Sequence, residues 1–161
     1  MPNMTETLDL ISSLFLPIAG KNLLLPNVSI AEVIDYQIPN KQEQAADWYL
    51  GSVSWRGQQL PVMSYELANQ DATKDRGENP RIIVINTIGP HNSQLPFFAI
   101  VTQNIPRLVK VDENSITEDV DEPQGPIEKM RVTIHGETAS IPNLELMESM
   151  LFQELQQHQS Y

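Results

Sequence analysis

A guanidinium beside an indole, where the chain must reverse direction, is the most chemically specific arrangement in this sequence. Arg56-Gly57-Gln58 joins two short apolar arms, residues 51–55 and 59–63, in which Val53 and Trp55 alternate with Ser52 and Ser54. That alternation is the pattern of a strand with one buried face, and the intervening residues predict a tight hairpin bend. Gly57 supplies the positive φ that such a bend requires. Arg56 would then project outward with five N–H donors suited to a carboxylate or to carbonyl groups. Trp55 offers a flat amphipathic surface of the type enriched at binding hot spots. Spacing alone leaves two readings open for each side chain: Arg56 as a docking residue or an ordinary exposed turn residue, and Trp55 as contact surface or core.

The residues that carry catalysis elsewhere are not arranged for it here. The sequence contains no G-x-S-x-G elbow, P-loop, G-x-G-x-x-G or H-E-x-x-H. With no cysteine, disulfide scaffolds, thiol nucleophiles and cysteine-based zinc sites are excluded. His91, His135 and His158 lack metal-ligand spacing, so neither a metal nor a cofactor is expected. Asp71, Asp75, Asp112, Glu113, Glu118, Asp119, Asp121 and Glu122 cluster in polar stretches that read as loops. A catalytic carboxylate pair needs two acids held on rigid elements beside a cleft, whereas charge in loops is ordinarily solvated.

Bulk properties narrow the partners. The 161 residues suit a single domain, and a chain of this size buries about 70% of its unfolded surface without help from metals or disulfides. Ten basic against 21 acidic residues give a formal charge of −11, which repels nucleic acid and anionic membranes. No apolar run approaches the roughly 18 residues that span a bilayer. The segment before residues 14–20 carries Glu6 and Asp9 and no basic residue, unlike an export signal, so a cytoplasmic location is expected.

The elements that must position the bend are mostly short strands. Residues 14–18, 23–25, 51–55, 59–63, 81–88, 97–101, 107–111, 130–134 and 138–141 are apolar runs separated by turn residues. Ile30, Val33 and Ile34 fall at i, i+3 and i+4 after Ser29, which predicts a short helical turn capped by that serine. Residues 37–47 and 112–122 read as loops, and the polar stretch 68–80 as a linker between two subdomains. Leu144, Met147, Leu151 and Leu155 recur with helical period, predicting an amphipathic C-terminal helix of roughly four turns packed on a barrel. No repeat of fixed period is visible. The implied architecture is all-β with minor helices: two small barrels of about five strands each.

The ordered series of these motifs resembles the CheW-like family of chemotaxis adaptors. The family phrase G-V-[IV]-N-L-R-G-x-x-[IV]-P-V-[VI]-D-L is matched by Gly51-Ser-Val-Ser-Trp-Arg-Gly-Gln-Gln-Leu-Pro-Val-Met-Ser-Tyr65 in its glycine, Arg-Gly and proline. Upstream, Ile30-Ala-Glu-Val33 resembles the family's V-x-E-V; downstream, Arg81-Ile-Ile-Val-Ile85 and Phe98-Ala-Ile-Val101 resemble the strand pair opening its second half. The segment from Thr133 to Leu146 resembles the closing hairpin and last helix, so the likeness spans about residues 12–155 as one domain. Residues 1–11 and 156–161 are then expected to be flexible termini.

This resemblance implies two intertwined five-stranded SH3-like barrels and a non-catalytic adaptor role. Such adaptors bridge the cytoplasmic tip of a methyl-accepting chemoreceptor and the regulatory domain of a CheA-type histidine kinase. It implies protein-binding roles for Arg56, Gly57, Gly51, Ile30 and Glu32; Trp55 and Val53, taken from the reading of the hairpin itself, complete the expected binding set, in which Ile30, Val53 and Trp55 form an apolar docking edge. Ser54-Trp55 replaces the family's N-L, Ser64-Tyr65-Glu66 its D-L-R, and Thr102-Gln103 its V-D. These departures resemble pilus-linked adaptors of the ChpC or PilI type, which implies twitching motility driven by type IV pili as an alternative to swimming. Two rival readings remain at this level: a β-barrel hydrolase using loop carboxylates, and a stand-alone SH3-like module for proline-rich peptides.

Overall fold

A computed structural model describes residues 11–41, 43–71, 79–120 and 124–157. Among the described residues, eleven strands form two sheets. The first has six strands in the order β8-β1-β2-β11-β10-β9, built from β1 (Ile11–Ile18), β2 (Lys21–Pro26), β8 (Arg107–Val111), β9 (Ile116–Glu118), β10 (Glu128–Ile134) and β11 (Glu137–Pro142). The second has five in the order β3-β6-β7-β5-β4: β3 (Ile30–Asp35), β4 (Tyr49–Trp55), β5 (Gln58–Met63), β6 (Pro80–Asn86) and β7 (Phe97–Gln103). A one-turn helix α1 (Tyr65–Ala68) follows β5, and helix α2 (Leu144–Gln157) follows β11.

Three apolar clusters explain why the central strands read as unbroken hydrophobic runs. Alternate residues of one strand enter different cores. Phe15 and Leu24 face the interior of the six-stranded sheet, with Val111, Val132, Ile134 and Ala139. Ile82, Val84 and Ala99 face the interior of the five-stranded sheet, with Val53, Trp55, Leu60 and Val62. Leu16, Leu23, Leu25, Ile83, Ile85, Phe98 and Ile100 meet in a third cluster between the sheets. β1, β2, β6 and β7 are therefore buried on both faces, the condition that removes polar alternation from a strand. Each fully buried Val, Leu, Ile or Phe among them contributes roughly 1.5–3 kcal/mol of burial.

Helix α2 seals the shared cluster with Leu144, Met147 and Leu151, as its period predicts. Its acidic residues do more than face water. The fully buried Glu148 carboxylate accepts the Gly89 N–H at 2.7 Å and the His91 N–H at 2.8 Å, and Glu154 accepts the Ala46 N–H at 3.1 Å. The His91 ring stacks on Phe152 at 4.0 Å. A helix contiguous with the six-stranded sheet is thus bolted to two loops of the other.

The two sheets share one plan that the sequence conceals. β4 and β5 are joined by Arg56-Gly57, and β10 and β11 by His135-Gly136, all four residues having positive φ. A register shift precedes each hairpin, between Tyr49 and Gly51 and between Glu128 and Met130. The second arm of each pairs in parallel with a central strand, Val62 with Ala99 and Ser140 with Leu23. A capped helix follows both: Ser64 Oγ accepts the Leu67 N–H, and Asn143 Oδ1 the Leu146 N–H. Only hydrogen-bond geometry and the turn glycine are kept, so the repeat leaves almost no sequence signal.

Several expectations are corrected. Residues 30–34 are not a helical turn: they are strand β3, preceded by a 3-10 turn at Asn27–Ser29 in which the Ser29 side chain caps nothing. The stretch 68–80 does not separate subdomains, because the strands on either side, β5 and β6, belong to the same sheet; residues 72–78 lie outside the described residues. The acidic stretch 112–122 contains β9, the sixth strand of its sheet. Ile11 opens β1 and Gln156 and Gln157 close α2, while the rest of the two expected flexible termini lies outside the described residues.

At the start of β10 sits a carboxylate with no exposed side-chain surface. Glu128 accepts from Arg131 Nε and Nη2, both at 3.2 Å, from the Gly125 N–H at 3.0 Å and from Ser140 Oγ. Burial alone raises its pKa, but the bonds from Ser140, Gly125 and Arg131, with Lys21 nearby, hold it below the ordinary value of 4.5. A depressed folded-state pKa stabilises the fold above the unfolded value, and that stabilisation is lost as pH falls through the folded one. Glu128→Gln should therefore lower urea-unfolding stability by about 2–3 kcal/mol at neutral pH and flatten its decline in acid. Equal loss at both pH values would show that the charge is not what matters.

Candidate functional site

The Trp55-Arg56-Gly57 bend is a two-residue turn, since Trp55 pairs directly with Gln58. Arg56 and Gly57 have φ of 49° and 75°, the paired left-handed geometry whose twist matches that of the flanking strands. A side chain at Gly57 would meet nothing within 4 Å, so its constraint is dihedral alone. Arg56 therefore stands at the tip of a hairpin whose conformation is fixed by its turn.

Three side chains converge there. Glu32 Oε1 accepts from Trp55 Nε1 at 3.0 Å and from Arg56 Nη2 at 3.0 Å. The Arg56 guanidinium lies over the Trp55 ring, 4.7 Å from its centroid. Beneath, Phe97 meets the indole edge-on at 4.9 Å. Glu32 reaches the bend because β3 and β4 are the two margins of the five-stranded sheet, brought together as it curls. An Asn40–Ser52 bridge and a Gln37 Nε2–Ser54 carbonyl bond at 3.3 Å close that seam.

Exposure separates the expected binding set into two groups. The Arg56 side chain is 64% exposed and that of Glu32 40%, so both face solvent. Val53 and Trp55 are 4% and 6% exposed and line the barrel interior. The apolar docking edge expected from Ile30, Val53 and Trp55 is thus not a surface: β4 alternates, and its apolar face is the one turned inward. Ile30 is half-buried against the shared core. Sequence reasoning missed Ile38, which follows Gln37 on the seam and is 85% exposed. Its stretch is polar, contains Pro39 and has no period, so nothing marked it.

Gly51 belongs to the scaffold. At φ 120° it tolerates no ordinary side chain, and a Cβ there would sit 2.5 Å from the Asn40 carbonyl oxygen. Its bareness lets the seam close behind Glu32.

The other reactive groups are dispersed. His91 stacks on the C-terminal helix, His135 occupies the opposite hairpin turn, and His158 lies outside the described residues. Among the described residues no cluster of three or more histidine, aspartate or glutamate side chains is placed for a metal ion. Asp71 pairs with Lys21 at 3.1 Å, and Asp112 Oδ1 accepts the Asn114 and Ser115 N–H groups of its own turn. Asp75, Asp121 and Glu122 lie outside the described residues. A cavity of about 450 Å³ between β2 and β11 is lined by residues 20–22, Arg131 and residues 138–140, and by none of the loop carboxylates. Among the described residues no helix is long and apolar enough to cross a membrane.

Comparison with known proteins agrees with this geometry. The CheW-like domain family matches residues 12–154, nearly the whole chain. The chain belongs to the CheW-like domain family. The scaffolding protein TtCheW from Thermoanaerobacter tengcongensis has a similar structure, with a TM-score of 0.71 over 85% of this chain and 91% of that one. The two sequences are only 15% identical, so this likeness establishes the fold. No curated protein sequence matches.

Gly51→Ala should destabilise this CheW-like domain by at least about 2 kcal/mol, through strain at the positive φ and loss of the Asn40–Ser52 seam. Thermal unfolding measures the first. Amide exchange at Asn40 and Ser52 should rise selectively, and uniform protection would contradict the assignment.

Proposed function

We propose that this chain is a non-catalytic cytoplasmic adaptor that couples methyl-accepting chemoreceptors to the regulatory domain of a CheA-type histidine kinase. What carries the reading is the placement of Arg56: a guanidinium exposed at the tip of a rigid hairpin, on the residue that matches the family's Arg-Gly. The family membership of the whole chain supports it, as does the scaffolding role named for TtCheW. Chemically the mechanism is passive. Arg56 satisfies a carboxylate or carbonyls at the rim of a contact of roughly 1,000–1,600 Å², and Ile38 supplies apolar area beside it. Simultaneous engagement of receptor and kinase raises their effective concentration about each other.

The finer reading is a branch serving type IV pilus chemosensory systems, of the ChpC or PilI type. It rests on Ser54-Trp55 in place of Asn-Leu before Arg-Gly, and on the opening Leu-Phe-Leu-Pro-Ile and Leu-Leu-Leu-Pro strands. The indole enlarges the barrel core and adds a hydrogen-bond donor that leucine lacks.

Arg56→Glu places a carboxylate next to Glu32 and reverses the charge of the tip. It should abolish pull-down of the receptor fragment or of the kinase regulatory domain, with an unchanged circular-dichroism spectrum. Retained binding to both partners would remove Arg56 from the interface.

A further inference from the structure

Glu32 has two donors at the bend, and they differ in how firmly they are held. Trp55 is buried, its ring fixed by the edge-on Phe97 contact, so its Nε1–H is a stationary donor. Arg56 is largely exposed, and an ion pair of this kind contributes only about 0–1 kcal/mol. Its cation–π contact with the indole persists if the guanidinium turns on the ring face, because attraction to that face does not depend on the direction of the N–H groups.

We propose that Trp55 is a positioning residue, holding Glu32 by its indole N–H so that Arg56 can leave Glu32 for a carboxylate on the partner. This rests on the adaptor reading and names the partner's chemistry: an aspartate or glutamate side chain that takes over the guanidinium. The planar fork matches a carboxylate with two parallel bonds, which a single carbonyl oxygen does not provide. The transfer breaks one hydrogen bond and ion pair, to Glu32, and makes a two-bond ion pair on the partner carboxylate. Glu32 stays bonded throughout. Without the indole donor, Arg56 would be the remaining side-chain donor to Glu32 at the bend, and its departure would strip the carboxylate.

The test uses the full chain and the kinase regulatory domain or receptor fragment captured in the pull-down. Trp55→Phe keeps the aromatic shelf and removes the donor, and should weaken binding about 10-fold. Adding Glu32→Gln removes the competing charge and should restore affinity to near the wild-type value, an effect that a packing defect at Trp55 would not show. In the wild-type complex, the Trp55 indole N–H should remain protected from solvent exchange in NMR spectra while the Arg56 Nε–H resonance shifts. The idea is overturned if Trp55→Phe binds as wild type, if the double variant is as weak as the single, or if indole exchange accelerates on binding. Failure of the wild-type chain to capture either partner would sink the adaptor reading itself; binding retained by Arg56→Glu would overturn the transfer of Arg56, and loss with Arg56→Glu beside a silent Trp55→Phe sinks only the positioning role.

Discussion

Four strands with no solvent face hold this molecule together. β1, β2, β6 and β7 each send alternate side chains into a barrel interior and into the cluster that both barrels share. Neither sheet can be withdrawn without exposing Leu16, Leu23, Ile83, Phe98 and their neighbours, so the barrels cannot behave as independent modules on a linker. The buried carboxylates of α2 reinforce this union. Each accepts backbone N–H groups from loops of the five-stranded sheet, a requirement that apolar packing alone would not impose on the helix position.

The Arg56 tip depends on that rigidity at one remove. A chain reversal with two left-handed residues offers Arg56 little backbone freedom, and the closed seam delivers Glu32 across 24 positions of sequence. The indole then serves three groups: Phe97 packs on its edge, Arg56 lies over its face, and Glu32 takes its N–H. A residue that reads as either core or contact surface is thus core by area, while its polar atom and ring face engage the two charged side chains at the bend.

Much of the strand architecture was legible because burial on both faces and period-two alternation leave direct marks on residue type. The hairpin at Arg56-Gly57 was legible from its glycine and flanking alternation. β3 was not, for a definable reason. A bulge between Ile30 and Glu32 inserts a residue into the pairing, so Ile30 faces the shared core while Ala31 and Ile34 face the barrel interior. The resulting spacing of Ile30, Val33 and Ile34 imitates one helical turn. β9 carries only Ile116 as an apolar residue, and its place comes from backbone pairing with β10, to which side-chain patterns are blind. The polar stretch 68–80 separates two strands of the same sheet, and composition cannot tell that from a boundary between subdomains. At the site, Glu32 was visible only through family resemblance, because nothing local links it to the bend.

The interleaved strand order carries a consequence for synthesis. The ribosome releases β1 and β2 first, yet every other strand of their sheet, β8 through β11, emerges only after the five-stranded sheet is complete. β3 to β7 are contiguous and can close as soon as they are made, with one face of the first hairpin already resting against them. Phe15 and Leu24 must meanwhile wait, uncovered, for Val132, Ile134 and Ala139. In the nascent chain, that waiting face is the surface most open to mispairing or to capture by a chaperone.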